Sequence, residues 1–249
     1  MALPNPKYPN SAGRLLSLLS NIPAGQQLLE VIPRLFDAKP TTPQSKQQAC
    51  LAGMMEMHRL YLEFRQDMMD ADISEEQRDV LLNGLTSIQD SIYPTQLTGG
   101  FRAPTDAEKS LLEVCATILP VDGQIKGDDI DAIRESISSL RTIIESGDIS
   151  PTLRKALLEL VRLSEDAISR FSIRGARGLK KAFKEMLGEA AELYGLSRGD
   201  DAAEELQSSP AWATIVNHLR LVDSVASRLL KYKPLIENAT QLLLGGPTA

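Results

Sequence analysis

Along most of the chain apolar residues return every three or four positions, the repeat of a helix, and no convincing stretch alternates as a strand would. From Cys50 the series Met54, Met57, Tyr61, Phe64 and Met68 takes alternating steps of four and three. It predicts a helix over residues 43–71, with Thr42 in front and Pro43 at the first helical position. Ser74 and Gln77 form a capping-box pattern ahead of Leu81, Leu85, Ile88 and Ile92, which read as one helix stopped by Pro94. Residues 93–104 carry Gly99 and Gly100 and read as a loop, and Thr105 with Glu108 opens the helix after it. Further helices are expected near residues 128–147, 151–168, 179–195 and 210–233, with a short one ending at Gly245 and Gly246. Ser150 and Ser209 precede prolines as caps. At the front, residues 11–20 and 23–37 read as shorter helices, the second perturbed by Pro33. The fold class expected is all-α, a helical bundle of about nine helices.

Compared with itself at an offset of 76 residues, the chain repeats. Asp72, Ile73, Ser74, Arg78, Leu81, Leu82 and Asp90 fall on Asp148, Ile149, Ser150, Arg154, Leu157, Leu158 and Asp166. Upstream, Met54, Met57, Tyr61, Phe64 and Met68 fall on Ile130, Ile133, Ile137, Leu140 and Ile144. Two amphipathic hairpins of similar length align somewhere by chance. Here identity and helix phase agree across the turn without a gap, which favours an internally duplicated helical hairpin, 54–92 and 130–168. Two copies are too few for an open solenoid, so a pseudo-symmetric bundle is expected. The domain reading is residues 1–40 as N-terminal short helices and 41–249 as one helical bundle with the duplication inside it.

Composition narrows the functional classes. A hydrophobic fraction of 43% is enough for a core, so wholesale disorder is ruled against. Aromatics are scarce at 4%, which weakens any scheme based on stacking bases or sugars. A formal charge of −6 opposes indiscriminate binding to nucleic acid or anionic membrane, though it leaves room for a local basic patch. Cys50 and Cys115 are two cysteines outside any CxxC pair, too few for a disulfide framework, and they favour a reducing compartment. No charged leader with an apolar stretch and no transmembrane segment is read, so a cytoplasmic location is expected.

Candidate chemistry is sparse. His58 shares a stripe with Leu51, Met55, Leu62 and Met69 and reads as a helix-packing residue. His218 lies between Ile215 and Leu219, at a polar face or an interface. Neither belongs to an HxxxH pair, so no metal, cofactor or catalytic residue is assigned. Asp122 and Gly123 resemble half of a calcium loop, but Ile118 and Pro120 would occupy ligand positions, so a turn is the better reading, with Asp128 or Asp129 serving the next helix start. Asp200, Asp201, Glu204 and Glu205 read as a solvated loop and helix start. Leu15, Leu16, Leu18 and Leu19 fit an LxxLL pattern, which reads either as a helix docked on the chain's own bundle or as a partner helix.

The strongest local anomaly is basic. Arg170, Arg174, Arg177, Lys180, Lys181 and Lys184 follow one another with no acidic residue between them in an acidic chain. The spacing of Arg177, Lys181 and Lys184 puts them on one helix face, and Gly175 and Gly178 would let backbone approach a ligand. Three readings stand: a solvated cationic face, a site for an acidic protein partner, or a site for nucleic acid. The GxxxxGK[ST] spacing of a phosphate loop is absent. The functional expectation is a non-enzymatic helical protein–protein interaction module whose partner is another protein or a second copy. A nucleic-acid-associated protein using segment 170–184 and an enzyme with an unrecognised helical active site are the alternatives.

Overall fold

Three hydroxyl side chains start three helices as the sequence predicts. Thr42, Ser74 and Thr105 each accept a hydrogen bond from the backbone N–H three residues on, and the third residue returns the bond to the cap's own N–H. Each such cap satisfies donors that a helix start leaves unpaired, worth about 1 kcal/mol. The structure, a computed structural model, describes residues 7–36, 38–93, 97–123, 125–146, 151–196, 210–231 and 234. Among them are ten helices and no strand, so the chain is all-α. Ser150, Ser209, the acidic residues Asp200, Asp201, Glu204 and Glu205, and the helix expected before Gly245 lie outside the described residues.

The chain divides into two compact units, Met1–Asp122 with Ser172–Gly175, and Gly123–Phe171 with Ala176–Ala249. In the first unit α1 (Ser11–Ser20) packs on α3 (Pro43–Met69) and α6 (Asp106–Ile118), and α2 (Leu28–Leu35) packs on α3. Gly53 makes the second contact possible, because a Cβ there would sit 2.3 Å from the Ile32 side chain. Leu15, Leu18 and Leu19 are buried, each removed from water at a gain of about 1.5–3 kcal/mol. The LxxLL helix is therefore docked on its own unit. The loop before α6 folds over the start of α2, where the Phe101 N–H donates to Gln26 O at 2.8 Å and Gly100 bridges to Gln27.

The helix expected across Leu81 to Ile92 is broken into α4 (Glu75–Gly84) and α5 (Ile88–Ile92). Two features lie at the break. Gly84 lies where a Cβ would meet Leu111 at 2.7 Å, and Ser87 is held from outside the helix. Its carbonyl accepts from Arg102 at 2.7 Å, and its hydroxyl donates to the Glu108 carboxylate. Burial alone would raise the Glu108 carboxyl, but hydrogen bonds from Ser87, Thr105 and Arg102 outweigh it and hold the pKa at about 2.

In the second unit α7 (Gly127–Glu145) packs on α8 (Pro151–Ser169) and α10 (Pro210–Leu230), and α9 (Phe171–Leu196) closes the core with Phe183 and Met186. Asp129 serves the start of α7, its carboxylate accepting from the Lys126 N–H at 3.2 Å. At the 76-residue offset the same positions are buried in both units: Met57 and Ile133, Tyr61 and Ile137, Phe64 and Leu140, Leu81 and Leu157. A tertiary hydrogen bond also repeats. Arg78 Nε donates to Met68 O at 3.1 Å, and Arg154 donates to Ile144 O at 2.6 Å. The cap equivalence of Ser74 and Ser150 that a duplicated hairpin implies lies outside the described residues.

Candidate interaction faces

α3 carries two apolar stripes. Cys50, Met57, Leu60, Phe64 and Met68 point into the first unit and are fully buried. The stripe assigned to packing from its spacing does the opposite. Leu51, Met55, Leu62 and Met69 are 48, 71, 49 and 52% exposed, with half-buried His58 in the middle of the row. The methionines thus separate: Met57 and Met68 are core, Met54 is half-buried, and Met55 and Met69 lie at the surface. Tyr93 widens the face, its hydroxyl bonded to His58 Nδ1 and its ring edge-on to the imidazole at 5.1 Å between centroids.

The second unit supplies an internal comparison. At the 76-residue offset Leu51, Met55, His58, Leu62, Arg65 and Met69 correspond to Gly127, Asp131, Arg134, Ser138, Arg141 and Glu145, all exposed and none apolar. Beside that face runs a groove of about 330 Å³ lined by Arg134, Ile137, Ser138, Arg141, Glu165 and Ile168 and crossed by an Arg141–Glu165 ion pair. Exposed apolar side chains that follow one another along a helix mark a contact site when the patch they form is larger than a few hundred Å².

The basic residues are distributed between the units rather than gathered. Arg174, on the segment assigned to the first unit, grips Glu56 through Nε at 3.0 Å and Nη2 at 2.6 Å, in the fork geometry that suits a carboxylate. Arg170 pairs with Asp166 at 2.8 Å, four residues back. Lys180 is half-buried, and Arg177, Lys181 and Lys184 are exposed along one side of α9, with Lys181 3.7 Å from Glu185. After Arg170, which lies in the turn between α8 and α9, the segment is helical except at Gly175, where φ is +58° and ψ −161° and α9 kinks.

Gly175 touches a cluster that its neighbours in sequence do not announce. Arg14 is buried, with salt bridges to Glu63 at 2.7 Å and Asp122 at 3.1 Å, and a Cβ on Gly175 would lie 2.0 Å from its guanidinium. Asp122, expected as a turn residue, lies outside any turn or helix and serves as an ion-pair partner of Arg14. A buried arginine is legible only once its acids are in place, because charge in a sequence reads as surface.

His218 is core rather than interfacial. It is fully buried, with Nε2 at 2.7 Å from Ser164 Oγ and Nδ1 at 2.9 Å from Ser136 Oγ. Burial pushes its pKa down to about 4, so the ring is neutral at pH 7. Ser164 is 1% exposed and also lies 2.8 Å from Leu160 O, so this serine–histidine contact ties α7, α8 and α10 together. Cys50 and Cys115 are buried free thiols; burial raises both, Cys115 to about 11, which leaves little thiolate for chemistry. Among the described residues no three His, Cys, Asp or Glu side chains are grouped to hold a metal, and no helix is long and apolar enough to cross a membrane. Compared with protein-family models, with curated proteins and with solved structures, the chain matches none.

Proposed function

We propose that the chain is a non-enzymatic helical protein–protein interaction module, an adaptor, regulator or subunit of an intracellular complex, working in the cytoplasm. The observation that carries this reading is the exposed apolar row of α3, set against the row on α7 at the same offset, which carries no apolar side chain. Leaving such a row bare costs solubility and gives the isolated fold nothing, so a contact made there is its best account. The test uses tagged full chain as bait in an extract of its native host, beside a variant with Met55→Asp and Leu62→Ser. A protein, or the untagged chain itself, should be retained by the parent and lost by the variant. Identical retention by both, or none by either, overturns the reading.

Nucleic-acid association through segment 170–184 has narrower support. Arg177, Lys181 and Lys184 share an exposed side, with Lys181 3.7 Å from Glu185, and Arg170 and Arg174 are engaged by Asp166 and Glu56. Salt-sensitive binding that disappears with Arg177→Glu, Lys181→Glu and Lys184→Glu would support it. An enzymatic reading gains nothing from Ser164 and His218, since solvent reaches neither.

A further inference from the structure

We infer that Met55 and Met69 are reversible oxidation sites, at which a peroxide turns the exposed row of α3 from apolar to polar. Six of the chain's seven methionines lie among the described residues, and they differ in access. Met55 is 71% and Met69 52% exposed, Met54 is half-buried, and Met57, Met68 and Met186 are at most 1% exposed. Both exposed ones stand on the row that holds Leu51, His58 and Leu62. An oxidant arriving from solvent therefore meets methionine sulfur on this face before it meets any in the two cores. Cysteine does not compete for it. A thiol reacts as its thiolate, and Cys50 and Cys115 are fully buried with both thiols pushed up, so neither is reached nor ionised.

The forward step needs the peroxide alone. The thioether sulfur attacks one peroxide oxygen, an S–O bond forms and the O–O bond breaks. The departing hydroxide takes the proton of the transferred oxygen and leaves as water. Sulfur gives up two electrons, which the peroxide gains. The product is a sulfoxide, polar and chiral where the thioether was apolar. Along the row, Leu51 and Leu62 are then the exposed apolar side chains that remain, with oxidised Met55 and His58 between them. The core keeps its thioethers, so the fold survives the change. Two thiols, acting through a sulfoxide reductase, reverse it: they form a disulfide, the oxygen leaves as water and the thioether returns. The chemistry stands on exposure alone. Its consequence, release of a protein held by the row, rests on the interaction reading.

Full chain exposed to hydrogen peroxide over a time course, then digested and read by mass spectrometry, tests the site without any variant. Met55 and Met69 should gain an oxygen severalfold faster than Met57, Met68 and Met186, and the difference should vanish in urea. On a hydrophobic-interaction column the oxidised chain should elute earlier, with unchanged helical circular dichroism, and sulfoxide reductases with dithiothreitol should restore its position. Met55→Leu with Met69→Leu should shift far less under peroxide, and Met55→Gln with Met69→Gln should elute early without it. Peroxide should also release the retained protein from the parent bait and not from the leucine variant. Oxidation led by a core methionine or a cysteine, an unmoved elution, or an equal shift in the leucine variant overturns the proposal. So does retention unchanged once both sulfurs are oxidised. A parent that retains nothing, yet oxidises first at Met55 and Met69 with the elution shift, overturns the interaction reading and leaves the oxidation site standing.

Discussion

His218 is fully buried, which disfavours a positive charge on the ring, and the two serine hydroxyls that touch it suit a neutral one. The unfolded chain takes up the proton near pH 6.5, the folded unit only near 4. Between those values the unfolded state holds more protons, so stability is intact above pH 6.5 and falls as pH drops toward 4. The loss over the whole interval is roughly 3 kcal/mol. Urea midpoints measured at pH 7 and pH 4.5 by Trp212 fluorescence should show it, and His218→Gln should flatten the slope. Equal midpoints in the parent would mean that the ring is hydrated. Sequence could place His218 on a helix among Ile215 and Leu219 but could not supply Ser136, 82 residues away, or Ser164, 54 residues away. The same holds for Arg174, whose claim on Glu56 spans 118 residues.

Single helices were legible where local chemistry decides them and ambiguous where a neighbour does. The boxes expected at Ser74 and Thr105 are local and both form, and Thr42, expected as a helix start, forms a third with Ser45. Both stripes of α3 have helical spacing, so period alone cannot say which one faces water; Gly53, pressed against Ile32, marks the inner side. The break at Ser87 depends on Arg102 and Glu108, which lie beyond the helix they interrupt. The kink in α9 is local in residue type but not in cause. At Gly175 a positive φ with extended ψ, a region almost confined to glycine, costs an L-residue about 1–3 kcal/mol, and the guanidinium of Arg14 occupies the space a methyl would need. Gly175→Ala should therefore lower stability by more than the dihedral cost alone, read as a fall in thermal midpoint. Arg14→Lys in the same background should recover part of the loss, since it removes the crowding guanidinium and keeps the charge. A neutral Gly175→Ala would mean that the kink straightens without cost.

On the scale of the molecule, the two units carry different acid sensors. The Glu108 carboxylate, in the first, titrates at about 2 when folded and near 4.5 when unfolded, so its contribution is complete above pH 4.5 and is lost as pH falls toward 2. His218, in the second, acts between pH 6.5 and 4. Trp212, the sole tryptophan, is 2% exposed in the second core. On acidification its fluorescence should therefore change at a higher pH than the helical signal of the first unit, and a single coincident transition would show that the units unfold as one. Charge and composition gave no sign of two units, because the division follows from which residues share a core. Nor did they show that the division is not a simple cut of the chain. Ile173 is buried in the first core and Arg174 grips Glu56, yet both lie some fifty residues beyond Asp122, where the main body of that unit ends. On a ribosome adding about 5–20 residues per second, the first unit would wait several seconds for these side chains, its site for Ile173 unfilled. Chaperone dependence should accordingly be greatest for nascent chains between those lengths, and a fragment ended at Asp122 should behave as the arrested form of that intermediate.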